Sequence, residues 1–283
     1  RLYYVNWPIK IACLCVTEDR APIWPIALTS YLEQTGRELQ GAGSFSPWLN
    51  CDSARTDPDV YYQAVSHLGP LLDNRHAGAP WRTGRPWQVI RLSLGGDPLP
   101  FRLARLINDA FYGEGADLVT VWDDDDYSPP DRLHLTAQAV ADLDPRRSIV
   151  GGYNKGRFVN LVTLQGEEVD CPWGLWGASL TFNRVAYEAA GGFSDRVSPG
   201  YDRSFVADLM ERQGQNVQRF VLDVPPERRP MAFSHGKNIA TWLKTRGEPM
   251  EARLKAWMPS SVFQAVKAGQ GFLVEQRVVP PQP

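Results

Sequence analysis

Apolar positions come along this chain in two styles, short continuous runs and helically spaced sets, and the two styles alternate. Lys10-Ile11-Ala12-Cys13-Leu14-Cys15-Val16 is a run, which predicts a short buried strand, and Trp24 to Glu33 has helical spacing. Trp87 to Leu92 predicts another strand, followed by a Gly95-Gly96 turn and a helix from Leu99 to Tyr112 whose Leu103, Leu106, Ile107, Ala110 and Phe111 share one side. A strand over Val119-Thr120-Val121-Trp122 comes next, then a helix over Asp131 to Leu143. Ser148 to Tyr153 and Phe158 to Leu164 read as strands, and Arg184 to Ala190 as a helix closed by Gly191-Gly192. Phe205 to Gln213 is helical and Asn216 to Leu222 extended. Strands alternating with helices predict an α/β fold with a mainly parallel sheet, flanked by helices on both faces, with ligands at the carboxyl ends of strands.

Two regions break the pattern. Residues 41–86 are rich in Gly, Pro, Asn and Asp and show little periodicity beyond a helix expected over Asp59 to Leu68. After about Asn238 strand signals stop, and two helices are expected, Met250 to Trp257 and Ser261 to Ala268, before a Pro-rich tail. The expected organisation is one unit over residues 1–240, with an insertion at about 41–86, and a helical C-terminal extension over 241–283.

Composition narrows the function classes. The 283 residues are 43 % hydrophobic, enough to bury a full core, and the net charge of -2 gives no global field to draw in nucleic acid or an anionic membrane. Cys13, Cys15, Cys51 and Cys171 form no C-x-x-C pair; small buried thiols in a reducing compartment are expected. No apolar run nears the length of about 18 residues needed to span a bilayer, and no leader is visible, so a cytoplasmic protein is expected.

The strand at Val119 runs straight into Asp123-Asp124-Asp125-Asp126. Adjacent carboxylates roughly 4 Å apart repel by about 4 kcal/mol per pair at an effective dielectric near 20, so an enclosed cluster is held by a cation, by arginine or by proton uptake. The following Tyr127-Ser128-Pro129-Pro130 is turn chemistry, and a solvated acidic turn is the alternative.

Further stretches stand around this one in a recognisable order. Val16-Thr17-Glu18-Asp19-Arg20 closes the first strand, and Ala104-Arg105 lies on the helix that leads to the acidic strand. Downstream come Trp176-Gly177-Ala178-Ser179-Leu180-Thr181-Phe182-Asn183-Arg184 through Gly191-Gly192-Phe193, then Gly200-Tyr201-Asp202-Arg203, then Phe233-Ser234-His235-Gly236-Lys237-Asn238. By these motifs the chain resembles family-2 glycosyltransferases of the GT-A fold, over about residues 10 to 240. Glu18 stands where the family usually has an aromatic residue, and Tyr201 where it has Glu.

The resemblance implies a Rossmann-like GT-A fold and a metal-dependent, inverting transfer of a sugar from a nucleotide-diphosphate donor to an acceptor hydroxyl. A UDP-sugar is the expected donor and Mn²⁺ or Mg²⁺ the expected cofactor. It places Thr17, Asp19, Arg20, Asp52, Arg105, Asp123, Asp124 and Lys237 against the donor, and Asp123, Asp125 and His235 around the metal. Asp202 becomes the general base, while Trp173, Trp176 and Gly177 face the acceptor, which is a glycan, lipid-linked glycan, protein or modified nucleic acid. For Asp202 the residue-level alternative is a helix N-cap, for Arg105 an exposed helix arginine, and for Trp173 and Trp176 ordinary core packing in place of a sugar platform. For the chain as a whole the alternatives are a non-catalytic nucleotide-sugar or glycan-binding relative and a haloacid-dehalogenase-type phosphotransferase. A calcium loop is disfavoured, because it lacks the glycine at its sixth position and has His134 where a bidentate Glu belongs.

Overall fold

The first strand, β1 (Ile11–Thr17), sends alternate residues into two separate cores, as a strand buried on both faces must. Ile11, Cys13 and Cys15 meet Ala27, Leu28 and Tyr31 of α1 (Pro25–Leu32) and Leu133 and Val140 of α3 (Arg132–Val140). Ala12 and Leu14 meet Leu103, Leu106 and Ile107 of α2 (Leu99–Asn108), which runs on through a π turn at Asp109–Gly113. A computed structural model of the chain describes residues 9–17, 22–35, 48–53, 88–92, 99–171, 174–193, 200–235 and 247–278, with backbone alone for 48–53, 88–92, 99–100 and 275–278.

Among the described residues seven strands form the main sheet, in the order β10-β6-β9-β4-β1-β2-β3. They are β1, β2 (Trp48–Ser53), β3 (Gln88–Leu92), β4 (Leu118–Val121), β6 (Ile149–Tyr153), β9 (Thr181–Asn183) and β10 (Gln218–Leu222). All neighbours pair in parallel except β9, which runs antiparallel to both β4 and β6. Behind β9 follow α4 (Arg184–Ala190) and α5 (Tyr201–Gln213). Asn183 caps α4, its side chain accepting from Ala186 N–H at 2.9 Å, and Gly191 ends it at φ 80° in the left-handed region.

A second, mixed sheet has the order β12-β8-β7-β11-β5, from β5 (Asp126–Tyr127), β7 (Lys155–Asn160), β8 (Gln165–Asp170), β11 (Met231–Ser234) and β12 (Glu248–Pro249). Two C-terminal helices, α6 (Glu251–Trp257) and α7 (Ser260–Val278), cover it. Leu254, Val262, Ala265 and Val266 from these helices share one buried cluster with Val159, Met231, Phe233 and Ile26. The C-terminal helices therefore complete a core that the second sheet and α1 could not close by themselves.

Several expectations need adjustment. The region that read as an insertion contains β2, which lies between β1 and β3 in the sheet; Trp-Leu-Asn-Cys-Asp-Ser carries no β-branched residue and gave no strand signal. The run Phe158 to Leu164 is not one strand. Asn160 ends β7 by accepting from Val162 and Thr163 N–H, Leu164 turns at φ 51°, and the polar Gln165–Asp170 returns as β8. The helix expected over Asp59 to Leu68 lies outside the described residues.

Candidate active site

The main sheet's register puts the acids beside the first strand's carboxyl end. Leu14 pairs with Val121, Trp122 N–H donates to the Leu14 carbonyl at 2.8 Å, and the chain then leaves the sheet as Asp123-Asp124-Asp125-Asp126. On the other side of β1, Thr17 pairs with Asp52 of β2, so two of the residues expected at the donor lie side by side in the backbone. Asp124, Asp125 and Asp126 are only 1 %, 5 % and 4 % exposed. This is an enclosed carboxylate cluster and not a solvated turn.

The second sheet aims a histidine at it. Asp126 of β5 pairs with Ala232 of β11 in antiparallel register, so the chain leaving β11 runs back along the acidic loop. His235 is the first residue past that strand, and its Nε2 lies 2.9 Å from Asp125 Oδ2, both groups buried. Asp126 feels its neighbours: burial first, then the carboxylates of Asp125, Asp123 and Asp124, push its pKa well above the usual range, while a hydrogen bond from the Trp176 side chain pulls it back.

Trp176 and Gly177 then tie this cluster to the expected base. The Trp176 ring packs against Phe158 at 5.0 Å between centroids and covers Gly156, where a Cβ would collide with it. Of the two alternatives for Trp176, a sugar platform or core packing, the ring takes the second: it is buried, and its indole N–H is turned to Asp126. The next residue, Gly177, abuts Asp202: a Cβ there would overlap Asp202 Oδ2, so only glycine admits the carboxylate this close. Asp202 sits in the first turn of α5. The cap position belongs to Gly200 at φ 109°, so Asp202 is not the N-cap. Burial raises its pKa, against the opposing pull of its own and Arg203's backbone N–H groups. Tyr201 is pushed up strongly too, by burial and then by the charges of Asp123, Asp202 and Asp126.

Of the expected metal set, Asp125 and His235 come together; among the described residues no group of three or more His, Cys, Asp or Glu closes as a metal cage. Arg105 is exposed on α2. Arg102, one turn earlier, is the buried arginine, and its Nη1 donates to the Thr17 carbonyl at 3.4 Å. The signal for Arg102 was its i+4 relation to Leu106, which puts it on the helix's buried face. Asp19, Arg20, Trp173 and Lys237 lie outside the described residues, as does the side chain of Asp52.

Comparison with solved structures agrees with this architecture. The chain is similar to S. aureus TarS at 12 % identity and a TM-score of 0.51, covering 88 % of this chain and 43 % of that one. S. aureus TarS 1-349 in complex with UDP-GlcNAc matches at 11 % identity and 0.54, over 95 % of this chain and 72 % of that one. The fold is of the GT-A type. Mannosyltransferase PcManGT from Pyrobaculum calidifontis, in complex with GDP-Man and Mn²⁺, matches at 15 % identity and a TM-score of 0.48, over 94 % of this chain and 70 % of that one. The chain spans less than half the length of full TarS. No protein-family model and no curated protein sequence matches it. No described helix is long and apolar enough to cross a membrane.

Proposed function

We propose that the chain is a metal-dependent, inverting glycosyltransferase that moves a sugar from a nucleotide-diphosphate donor, a UDP-sugar in the first instance, to an acceptor hydroxyl. The observation that carries this reading is the buried Asp125–His235 pair at the carboxyl end of β4, joined through Trp176-Gly177 to the half-buried carboxylate of Asp202. GT-A structures share the architecture, and TarS 1-349 in complex with UDP-GlcNAc supports the choice of donor class.

The residues fit a divalent cation. A carboxylate oxygen and an imidazole nitrogen converge within a hydrogen-bond length inside a cluster of excess negative charge, a donor pair that would suit Mn²⁺ better than the oxygen-preferring Mg²⁺. Asp125 and His235 would hold it, with Asp123 beside them. When bound, the ion supplies charge stabilisation for the departing nucleoside diphosphate.

The other steps belong to the chain. Thr17 and Asp52, paired across β1 and β2, border the donor's nucleoside; Asp19, Arg20 and Lys237, with Asp124 and Arg105, complete the proposed donor contacts. Asp202 takes the acceptor hydroxyl's proton, and its raised pKa makes it a stronger base than an exposed aspartate. Burial of the cluster excludes water that would otherwise compete with the acceptor. Residues 1–240 form the transferase unit in this reading, and the C-terminal helices hold its second sheet.

The test is donor cleavage. Purified protein with Mn²⁺ and a panel of UDP- and GDP-sugars should release nucleoside diphosphate slowly without acceptor, and Asp125→Ala should not. Product of opposite anomeric configuration to the donor establishes inversion; retention refutes that part. Binding of a nucleotide-sugar with no release under any acceptor points to a non-catalytic relative.

A further inference from the structure

The acidic loop is closed by a residue that the transferase reading leaves unused. Arg132, at the start of α3, is 1 % exposed, and its guanidinium reaches both flanks of the loop. On the β4 side Nη2 donates to Thr120 Oγ1 at 2.6 Å and to the Val121 carbonyl at 2.7 Å. On the far side Nη1 donates to Ser128 Oγ at 2.7 Å. The guanidinium carbon lies 4.4 Å from the centre of the Trp122 ring, the residue that opens the loop. One planar group thus spans the gap between residues 120–122 and residue 128, and the four aspartates are what lies between.

The far anchor is itself fixed. Gln34, just past α1, donates from Nε2 to the carbonyls of Pro129 at 2.7 Å and Ser30 at 3.0 Å, and its Oε1 accepts from Leu133 N–H at 3.1 Å. Ser128 and α3 are therefore seated on α1 before Arg132 pulls β4 toward them. Space filling alone does not call for this device, because a buried ionic group is often replaced by well-packed apolar residues at no loss of stability. Charge balance alone does not call for it either, since its hydrogen bonds run to two hydroxyls and a carbonyl at defined positions and a lysine cannot make a planar fork to both flanks.

We propose that Arg132 is a positioning residue for the metal loop: its guanidinium sets the separation of the loop's two ends, and so keeps Asp125 aimed at His235. The inference rests on the metal-dependent transferase reading. Arg132 touches neither substrate nor ion; it acts through the backbone of Val121 and the hydroxyls of Thr120 and Ser128.

The experiment measures free Mn²⁺ by electron paramagnetic resonance as the folded protein is titrated in the presence of UDP, for the parent, Arg132→Lys, Arg132→Met and Ser128→Ala, with melting temperatures recorded alongside. Removing a group that orients metal ligands typically lowers metal affinity about 10- to 100-fold, and that loss is expected for Arg132→Lys although the charge is kept. Ser128→Ala, which deletes one anchor and leaves Arg132 in place, should weaken Mn²⁺ by roughly threefold to tenfold, the scale of one buried hydrogen bond. Parent-like affinity in folded Arg132→Lys, even with a lowered melting temperature, overturns the proposal and leaves Arg132 a structural or charge-balancing residue. Should neither Arg132 variant fold, unchanged affinity in Ser128→Ala overturns it instead. A parent that binds no Mn²⁺ with UDP refutes the metal reading and the clamp together, whereas a binding parent with unaffected variants refutes the clamp alone.

Discussion

Two charge clusters in this molecule are built on opposite rules. Near the C-terminal helices, Arg157 has a 3 % exposed side chain and donates to Glu168 Oε1 at 2.5 Å and to the Pro226 carbonyl, while Arg229 meets Glu168 Oε2 at 2.8 Å. The Arg157 guanidinium also lies 4.2 Å from the centre of the Trp257 ring. Glu168 is half exposed and its pKa is pulled below the usual range by the two arginines, against the effect of burial. Opposite charges meet there and water screens the rest. At the end of β4, by contrast, carboxylates of one sign are packed together and Asp126 is driven strongly upward. The first cluster lowers its own electrostatic energy; the second keeps an excess of negative charge in place, which is useful only to a cation or a proton in transit.

The contrast is broken most severely at Asp125, the proposed ligand. Asp125→Ala should abolish turnover while leaving the melting temperature at or above that of the metal-free parent, because it relieves like-charge repulsion; a large loss of stability in circular dichroism melts would contradict this account of the loop. Asp202→Asn comes next, with a fall in kcat of about 10² to 10⁴ and donor affinity retained, measured by steady-state kinetics and calorimetry. Gly177→Ala should follow with a clear loss of kcat and little change in donor binding, since the new Cβ displaces Asp202 Oδ2.

The pH profile sharpens the same comparison. Burial raises the Asp202 pKa, so the acid limb of kcat should fall above the ordinary aspartate value of about 3.9 and vanish from the residual activity of Asp202→Asn. The sign for stability follows: the folded state holds this proton more tightly than the unfolded chain. Asp202 therefore favours the fold below the ordinary carboxylate range, and the contribution fades as pH rises through its raised pKa. At the small end, Glu168→Gln should leave kcat unchanged and cost on the order of 1 kcal/mol or less in urea melts, the scale of a half-exposed ion pair. A comparable loss of activity there would erase the distinction between the clusters.

The part of this design legible in the sequence was the part written in continuous segments. β1, α1, α2 and the acidic loop announce themselves by local pattern, and so do His235 and Asp202 once the motifs are set in order. What could not be read was set by pairing at long range. β2 lacks β-branched residues and is a strand because β1 and β3 flank it. Asp126 is buried because β11 pairs with it from more than a hundred residues away, and the choice between platform and core for Trp176 is made by Phe158 and Gly156. The partners of Arg132 on the β4 side of the loop, Thr120 and Val121, are likewise set by how α3 folds back on β4.

The central claim is that Asp125 and His235 hold a cation for donor cleavage, and one measurement meets it directly. UDP-sugars are incubated with parent and Asp125→Ala protein, with Mn²⁺ and with chelator, and released UDP is quantified. The account predicts release by the parent with Mn²⁺ and none by the variant or under chelation. Equal release from both proteins, or release that chelation leaves untouched, would contradict it.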